Sequence, residues 1–146
     1  KDRAVGYLWA DNAREISIDG SPMEFIKRTK THGGGTNLTQ AIDKLIATKT
    51  FVDKLVIFTD MQQNSFGGYW GSGKSFGDNI NEYRKINPNV KVLFWNLAGH
   101  RGGTPMKLDH NILEVAGFSD NMLSVIPKMW KDKEALIREI EAIELV

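Results

Sequence analysis

The fold is decided by a short apolar run, KLVIF at residues 54–58, which ends in the polar pair Thr59-Asp60. A second run, VKVLFW at residues 90–95, repeats this pattern and ends at Asn96. Continuous apolar runs of this length are typical of parallel strands that are covered on both faces, and a helical pattern lies between them. We therefore predict an α/β fold, with a doubly wound, Rossmann-like, mostly parallel sheet and helices on both faces.

The flanking segments supply the other elements of this pattern. Turn residues, capping residues and apolar spacing set their bounds. The predicted elements are strands at 4–10 and 14–19 joined by a tight turn, a helix at 22–30 capped by Ser21 and Glu24, a helix with an apolar stripe (Leu38, Ala41, Ile42, Leu45 and Ile46), a short helix at 78–86, a strand at 112–115, a helix from Ser119 to about Ile126, and a charged amphipathic helix at 128–145.

The composition excludes several classes of protein. The 146 residues include 19 Lys and Arg against 18 Asp and Glu, so a strongly basic nucleic-acid arm is excluded and no DNA partner is expected. The absence of cysteine excludes disulfides and thiolate metal sites. No apolar run approaches the roughly 18 residues of a membrane span. We expect one domain over residues 1–146, located in the cytoplasm and not in contact with a membrane.

Polar residues that follow the strands are the candidate site residues, because ligands of doubly wound folds bind at the carboxyl ends of the strands. Three places qualify: GGGTN at residues 33–37, Thr59-Asp60, and Asn96 with the glycine-rich loop after it. A hydroxyl from Thr36 and a carboxylate from Asp60 are hard oxygen ligands, which suit Mg²⁺, Mn²⁺ or Ca²⁺. Thr36 could instead cap a helix, and Asp60 could be a helix cap or a loop acceptor.

Two of these places carry a resemblance to a known family. GGGTNL at residues 33–38, followed by a helix, and LVIFTD at residues 55–60 resemble the second and third metal loops of von Willebrand factor type A domains. The resemblance implies a metal-ion-dependent adhesion site in which Thr36 and Asp60 hold a divalent cation. It also implies that an acidic residue of a protein partner completes the coordination of that cation.

Segments further along the chain resemble one branch of that family. FWN at residues 94–96 and VAGFSDNML at residues 115–123 are similar to the A-type domain at the carboxyl end of Ro/TROVE proteins. The resemblance implies an adaptor module in a ribonucleoprotein, whose RNA is bound by a neighbouring domain of the full protein. We expect a binding function rather than an enzymatic one.

The first metal loop of the family, Asp-x-Ser-x-Ser, does not occur in the chain. The start of the chain matches the second strand of A-type domains, so we expect the domain to be incomplete at its amino terminus. An upstream segment would then pair between the strand at 4–10 and the strand at 54–58. The site within residues 1–146 would otherwise be partial.

A second motif provides the alternative function. GYWGSGKS at residues 68–75 satisfies the phosphate-loop pattern G-x-x-x-x-G-K-S, in which Lys74 and Ser75 would serve a nucleotide-binding enzyme. A working phosphate loop follows a buried strand directly, whereas this one is separated from residues 54–58 by a polar stretch. A surface loop is the competing interpretation.

Candidate residues for contact with a partner lie in the same loops. Aromatic side chains often anchor interfaces, so Tyr69 and Trp70 could contact a partner, or they could instead fold back on the sheet. His100-Arg101, near Lys107, could contact phosphate, and a solvated loop is the competing interpretation. The full set is Asn37, Tyr69, Trp70, Asn96, His100 and Arg101.

Overall fold

The computed structural model describes residues 4–9, 13–29, 39–59, 75–98, 106–117, 119–132, 134, 138 and 141–142. Its elements in chain order are β1 (Gly6–Trp9), β2 (Ala13–Ile16), α1 (Pro22–Thr29), α2 (Thr39–Ala47), β3 (Lys54–Thr59), α3 (Phe76–Ile86), β4 (Lys91–Asn96), β5 (Ile112–Ala116) and α4 (Asp120–Lys131). The chain divides into two compact units. The hairpin unit comprises Lys1–Phe51 and Gln63–Pro88, and the sheet unit comprises Val52–Gln62 and Asn89–Val146.

The hairpin unit opens with the predicted pair of strands. β1 and β2 are antiparallel, with Gly6 opposite Ile16 and Trp9 opposite Ala13. Helix α1 follows, and its predicted capping box is confirmed. The Ser21 backbone N–H donates to Glu24 Oε2 at 2.8 Å, and the Glu24 N–H donates to Ser21 Oγ at 3.3 Å.

Helices α2 and α3 pack against each other in the hairpin unit. Ala41, Ile42 and Leu45 of the predicted stripe are buried, which confirms the core-facing side of α2. Two polar residues of α3 are completely buried and hydrogen-bonded. Asn79 Nδ2 donates to Asp43 Oδ1 at 2.8 Å, and Tyr83 Oη donates to the Thr50 carbonyl at 2.8 Å.

The sheet unit contains the predicted parallel sheet, in the order β3-β4-β5. Lys54 lies opposite Lys91 and Thr59 opposite Asn96, so β3 and β4 begin and end level. β5 continues the same direction, with Asn96 opposite Ala116. The three-stranded parallel sheet with its helix is compatible with a Rossmann-like α/β fold.

Helix α4 covers one face of this sheet. Its Ile126 forms a core with Leu93 and Trp95 of β4, against which Leu113, Val115, Met122 and Trp130 pack. Parallel register places Val56 and Phe58 of β3 on this same face. They are 38% and 49% exposed, so α4 covers the β4–β5 side more fully than the β3 side.

The predicted end of the helix that Ser119 caps is wrong. Ser119 does cap it, accepting a hydrogen bond from the Asn121 N–H at 3.3 Å, but α4 continues through Pro127 to Lys131 instead of stopping near Ile126. A proline interrupts one backbone hydrogen bond of a helix. Burial of Ile126 before it and of part of Trp130 after it offsets that loss, so tertiary packing overrides the local signal.

The structure pairs β1 with β2 and β3 with β4, and it places β1 and β3 in different sheets. Among the described residues, β3 therefore has β4 as its one strand neighbour. A segment pairing between them stays a prediction. In the same described ranges, no helix is both long enough and apolar enough to cross a membrane.

Candidate functional site

The carboxyl ends of β3, β4 and β5 form one level edge. The Leu97 N–H donates to the Thr59 carbonyl at 2.9 Å, and the Gly117 N–H donates to the Asn96 carbonyl at 2.9 Å. These two bonds extend the parallel ladder one residue beyond each strand. The ends of the three strands, at Thr59, Asn96 and Ala116, therefore lie side by side.

Two buried polar residues mark this edge. Thr59 is 7% exposed and Asn96 is 1% exposed, and they lie opposite each other in register. Buried polar side chains need hydrogen-bond partners, and neither Thr59 nor Asn96 is without an interaction partner. Asn96 was predicted to contact a partner, and that role stays a prediction for a side chain with so little accessible surface.

A hydrogen bond from an indole fixes the β5 side of the edge. Trp95 Nε1 donates to the Gly117 carbonyl at 2.7 Å, and Gly117 has a φ of +84°. A glycine is favoured at that φ because a Cβ is disfavoured there. The bond and the glycine together fix the end of β5 at this edge of the sheet.

Most of the predicted site residues lie outside the described residues. These are Thr36, Asn37, Asp60, Tyr69, Trp70, His100 and Arg101. Their roles stay predictions. Within the described ranges, no group of three or more His, Asp or Glu side chains could hold a metal ion.

The phosphate-loop pattern is represented in the described part by its last residue. Ser75 is the N-cap of α3, and its hydroxyl bonds Asp78 in both directions, at 2.7 Å to Oδ2 and at 3.1 Å from the N–H. Phe76 and Gly77, which sequence reasoning placed in the preceding loop, are buried in α3. A serine hydroxyl engaged in a capping box favours a structural role for Ser75.

Sequence reasoning missed a second cluster of polar and charged residues. A groove of about 430 Å³ lies in the hairpin unit and is lined by Arg14, Glu15, Ile16, Ser17, Lys27 and Arg28. The alternation of charged and apolar residues at 14–18 indicated only a strand. The sequence feature that could have indicated the groove is the basic pair Lys27-Arg28 at the end of α1. Ten residues separate this pair from Ile16 at the end of β2.

The sequence was compared with family models and with curated proteins. No family model matches the sequence, and no curated protein matches it at a significant level.

Proposed function

We propose that this chain is a metal-assisted protein-interaction module of the von Willebrand factor A type, within a Ro/TROVE-like ribonucleoprotein. In this proposal Thr36 and Asp60 hold Mg²⁺ or Mn²⁺, and a carboxylate of the partner takes an open position on the ion. RNA is bound by a neighbouring domain of the full protein.

The observation that carries the proposal is that the carboxyl ends of the parallel strands β3, β4 and β5 lie level with one another. β3 ends at Thr59, opposite Asn96, and Asp60 is the next residue in the chain. In open α/β sheets the carboxyl ends of the strands are where ligands bind. The order β3-β4-β5 also agrees with the last three strands of an A-type sheet, which supports placing Asp60 in its third metal loop.

The outer edge of β3 supports a further part of the proposal. Val56 and Phe58 are partly exposed there, and no strand of the described residues pairs on that side. Unpaired strand edges with apolar side chains favour the addition of another strand. We propose that the strand carrying the first metal loop joins the sheet at this edge.

Paramagnetic broadening by Mn²⁺ locates the ion without knowledge of the partner. The amides of Leu97 and Gly117 lie at the carboxyl edge, whereas those of Lys54 and Lys91 lie at the opposite edge of the same sheet. We expect Mn²⁺ to broaden the first pair selectively, and excess Mg²⁺ to reverse the effect. Equal broadening at both edges, or none at millimolar Mn²⁺, would contradict the proposal.

Two matched variants sharpen this experiment. Asp60→Asn removes the proposed carboxylate ligand and is expected to abolish selective broadening. Asp53→Asn removes an exposed carboxylate at the other end of β3 and is expected to leave it unchanged. Binding of ATP or GTP that Lys74→Ala abolishes would instead favour the nucleotide-binding alternative.

A further inference from the structure

Helix α1 presents apolar side chains that no described residue of the hairpin unit buries. None of its residues is buried, and Met23 and Ile26 are 64% and 43% exposed. They are three residues apart, so they share one face of the helix. Amphipathic helices normally bury such a face against other elements. This face of α1 is therefore available to a partner.

The groove between β2 and α1 lies next to this helix and is positively charged. Arg14, Lys27 and Arg28 contribute three cations to its lining, against the single carboxylate of Glu15. Lys44 Nζ lies 3.2 Å from Glu15 Oε2, so that carboxylate already has a cationic partner. The lining thus retains an excess of positive charge.

The three cationic side chains differ in how many hydrogen bonds they make within the chain. Arg28 is structural, because its guanidinium donates to the backbone carbonyls of Ser17, Asp19 and Glu24. Arg14 donates through Nη2 to the Arg28 carbonyl at 3.2 Å and has further donors in its guanidinium fork.

Lys27 is the cation with the most freedom to bind a ligand. It makes no hydrogen bond or ion pair with the rest of the described chain, and it is exposed. It follows Ile26 directly and lies one helical turn beyond Met23, so its ammonium group borders the exposed apolar face. A cation beside two apolar side chains matches a ligand that carries an anionic group beside an apolar one.

We propose that the α1–β2 groove binds an acidic, apolar peptide segment of a protein partner. A carboxylate of the peptide pairs with Lys27 and Arg14, and a neighbouring apolar side chain covers Met23 and Ile26. Charge complementarity selects the acidic residue, and burial of the exposed apolar surface supplies the favourable free energy. This surface contains none of the proposed metal ligands, so binding here does not require a metal.

Two other classes of ligand fit the groove less well. Single-stranded nucleic acid binds to aromatic platforms, and none of the described residues that line this groove is aromatic. Helices that lie on anionic membranes carry a polar face rich in Lys and Arg, whereas α1 is short and carries Glu24 in its first turn. An acidic peptide uses both the cations and the apolar side chains.

The test is an NMR titration of the chain with an N-acetylated, amidated octapeptide of alternating Glu and Leu, in excess EDTA. We expect saturable shift changes at the amides of α1 and β2. Lys27→Glu should weaken binding at least tenfold, and Met23→Ser should weaken it about threefold to tenfold. Both side chains are exposed, so helicity measured by circular dichroism should not change.

Matched controls separate this site from general charge effects. Lys85→Glu reverses an exposed lysine in the last turn of α3, outside the groove, and should leave binding unchanged. An equal loss with Lys85→Glu, or no loss with Lys27→Glu, would overturn the proposal. So would tighter binding of an oligouridylate or of phosphatidylserine vesicles at the same amides. Asp60→Asn should leave peptide binding intact, which distinguishes this site from the proposed metal site.

Discussion

The indole N–H of Trp95 donates to the carbonyl of Gly117 across 2.7 Å, which joins the end of β4 to the residue directly after β5. Trp95 is 3% exposed, so its indole N–H is shielded from water, and Gly117 is half-buried. Removing the donor leaves a carbonyl with one fewer partner at the edge where the site residues are proposed to meet. The bond therefore couples the sheet core to the geometry of this edge.

We expect Trp95→Phe to destabilise the chain by about 1 to 3 kcal/mol, because a buried hydrogen bond is lost along with part of the ring. Trp130→Phe is the matched control. Its Nε1 is buried and has no hydrogen-bond partner among the described residues, so the same substitution there loses no such bond. Urea unfolding of both variants should show the larger loss for Trp95→Phe, and equal losses would contradict a stabilising role for the bond.

Tyr83 provides a second test of a buried hydrogen bond. Its hydroxyl donates to the Thr50 carbonyl at 2.8 Å and accepts from Asn87 Nδ2 at 3.2 Å. Tyr83→Phe should cost about 1 to 3 kcal/mol, because the hydroxyl of a completely buried side chain and both of its hydrogen bonds are lost. Tyr7→Phe should change the free energy of unfolding by less than about 0.5 kcal/mol, since surface substitutions away from packed features usually have small effects. Within the described ranges, the Tyr7 hydroxyl makes one exposed contact, to Glu15 at 3.5 Å.

The contact between Asn79 and Asp43 predicts a pH-dependent variant. Asn79 is completely buried and donates to the carboxylate, so Asn79→Asp would place two carboxylates within hydrogen-bond distance. Burial and the neighbouring charge would raise the pKa of the new carboxyl above its unfolded value. The variant should therefore approach wild-type stability below about pH 4 and lose about 3 kcal/mol or more as the pH rises toward neutrality.

The double variant Asn79→Asp with Asp43→Asn restores one donor and one acceptor between the two helices. It should recover most of the stability at pH 7. If the loss of stability in Asn79→Asp alone did not depend on pH, that result would argue against direct repulsion between the two carboxylates. Thermal unfolding at several pH values provides the comparison.

The elements that could be predicted are those whose signal is local. Each of these elements has a short sequence pattern that is typical of one type of secondary structure. The patterns are the Ser21–Glu24 capping box, the apolar stripe of α2 and the apolar runs of β3 and β4. The end of α4 could not be predicted, because burial of Trp130 lies beyond the reach of a local pattern. The burial of Asn79 could not be predicted either. A polar residue on a short helix is normally expected to face solvent, and its partner Asp43 on α2 is known only from the structure. The candidate metal ligands Thr36 and Asp60 depend on the resemblance and lie outside the described residues.

Glu24 predicts a pH dependence of α1. Hydrogen bonds from the Ser21 backbone and hydroxyl, aided by the charge of Arg28, lower the pKa of Glu24 below its ordinary value of 4.5. A carboxyl with a lowered folded pKa contributes stability above its unfolded pKa, and this stability is lost as the pH falls through the folded pKa. NMR titration of the Glu24 carboxyl should give a pKa below 4.5. Ser21→Ala should move it upward, and no change would show that the capping bond does not stabilise the carboxylate.

The substitutions Gly117→Ala and Gly6→Ala are both expected to destabilise the chain, for different physical reasons. At Gly117 the φ is +84° and no heavy atom of the described residues lies within 4 Å of a Cβ built there, so the cost of Gly117→Ala is backbone strain of about 1 to 2 kcal/mol. Gly117→Asn should cost less, since asparagine tolerates this region better. At Gly6 a Cβ would lie 2.5 Å from Ile18 Cγ2, so the cost of Gly6→Ala is a steric clash.

The substitution Ile18→Ala separates the two mechanisms. It removes the clashing methyl group and should recover part of the loss in Gly6→Ala, whereas it should add independently to Gly117→Ala. Urea unfolding of the three single variants Gly6→Ala, Gly117→Ala and Ile18→Ala, and of the two doubles that contain Ile18→Ala, gives both coupling energies. A coupling of more than about 0.5 kcal/mol is expected for the first pair alone, because residues in contact couple and those without shared partners add. Equal coupling in both pairs would contradict the steric explanation at Gly6.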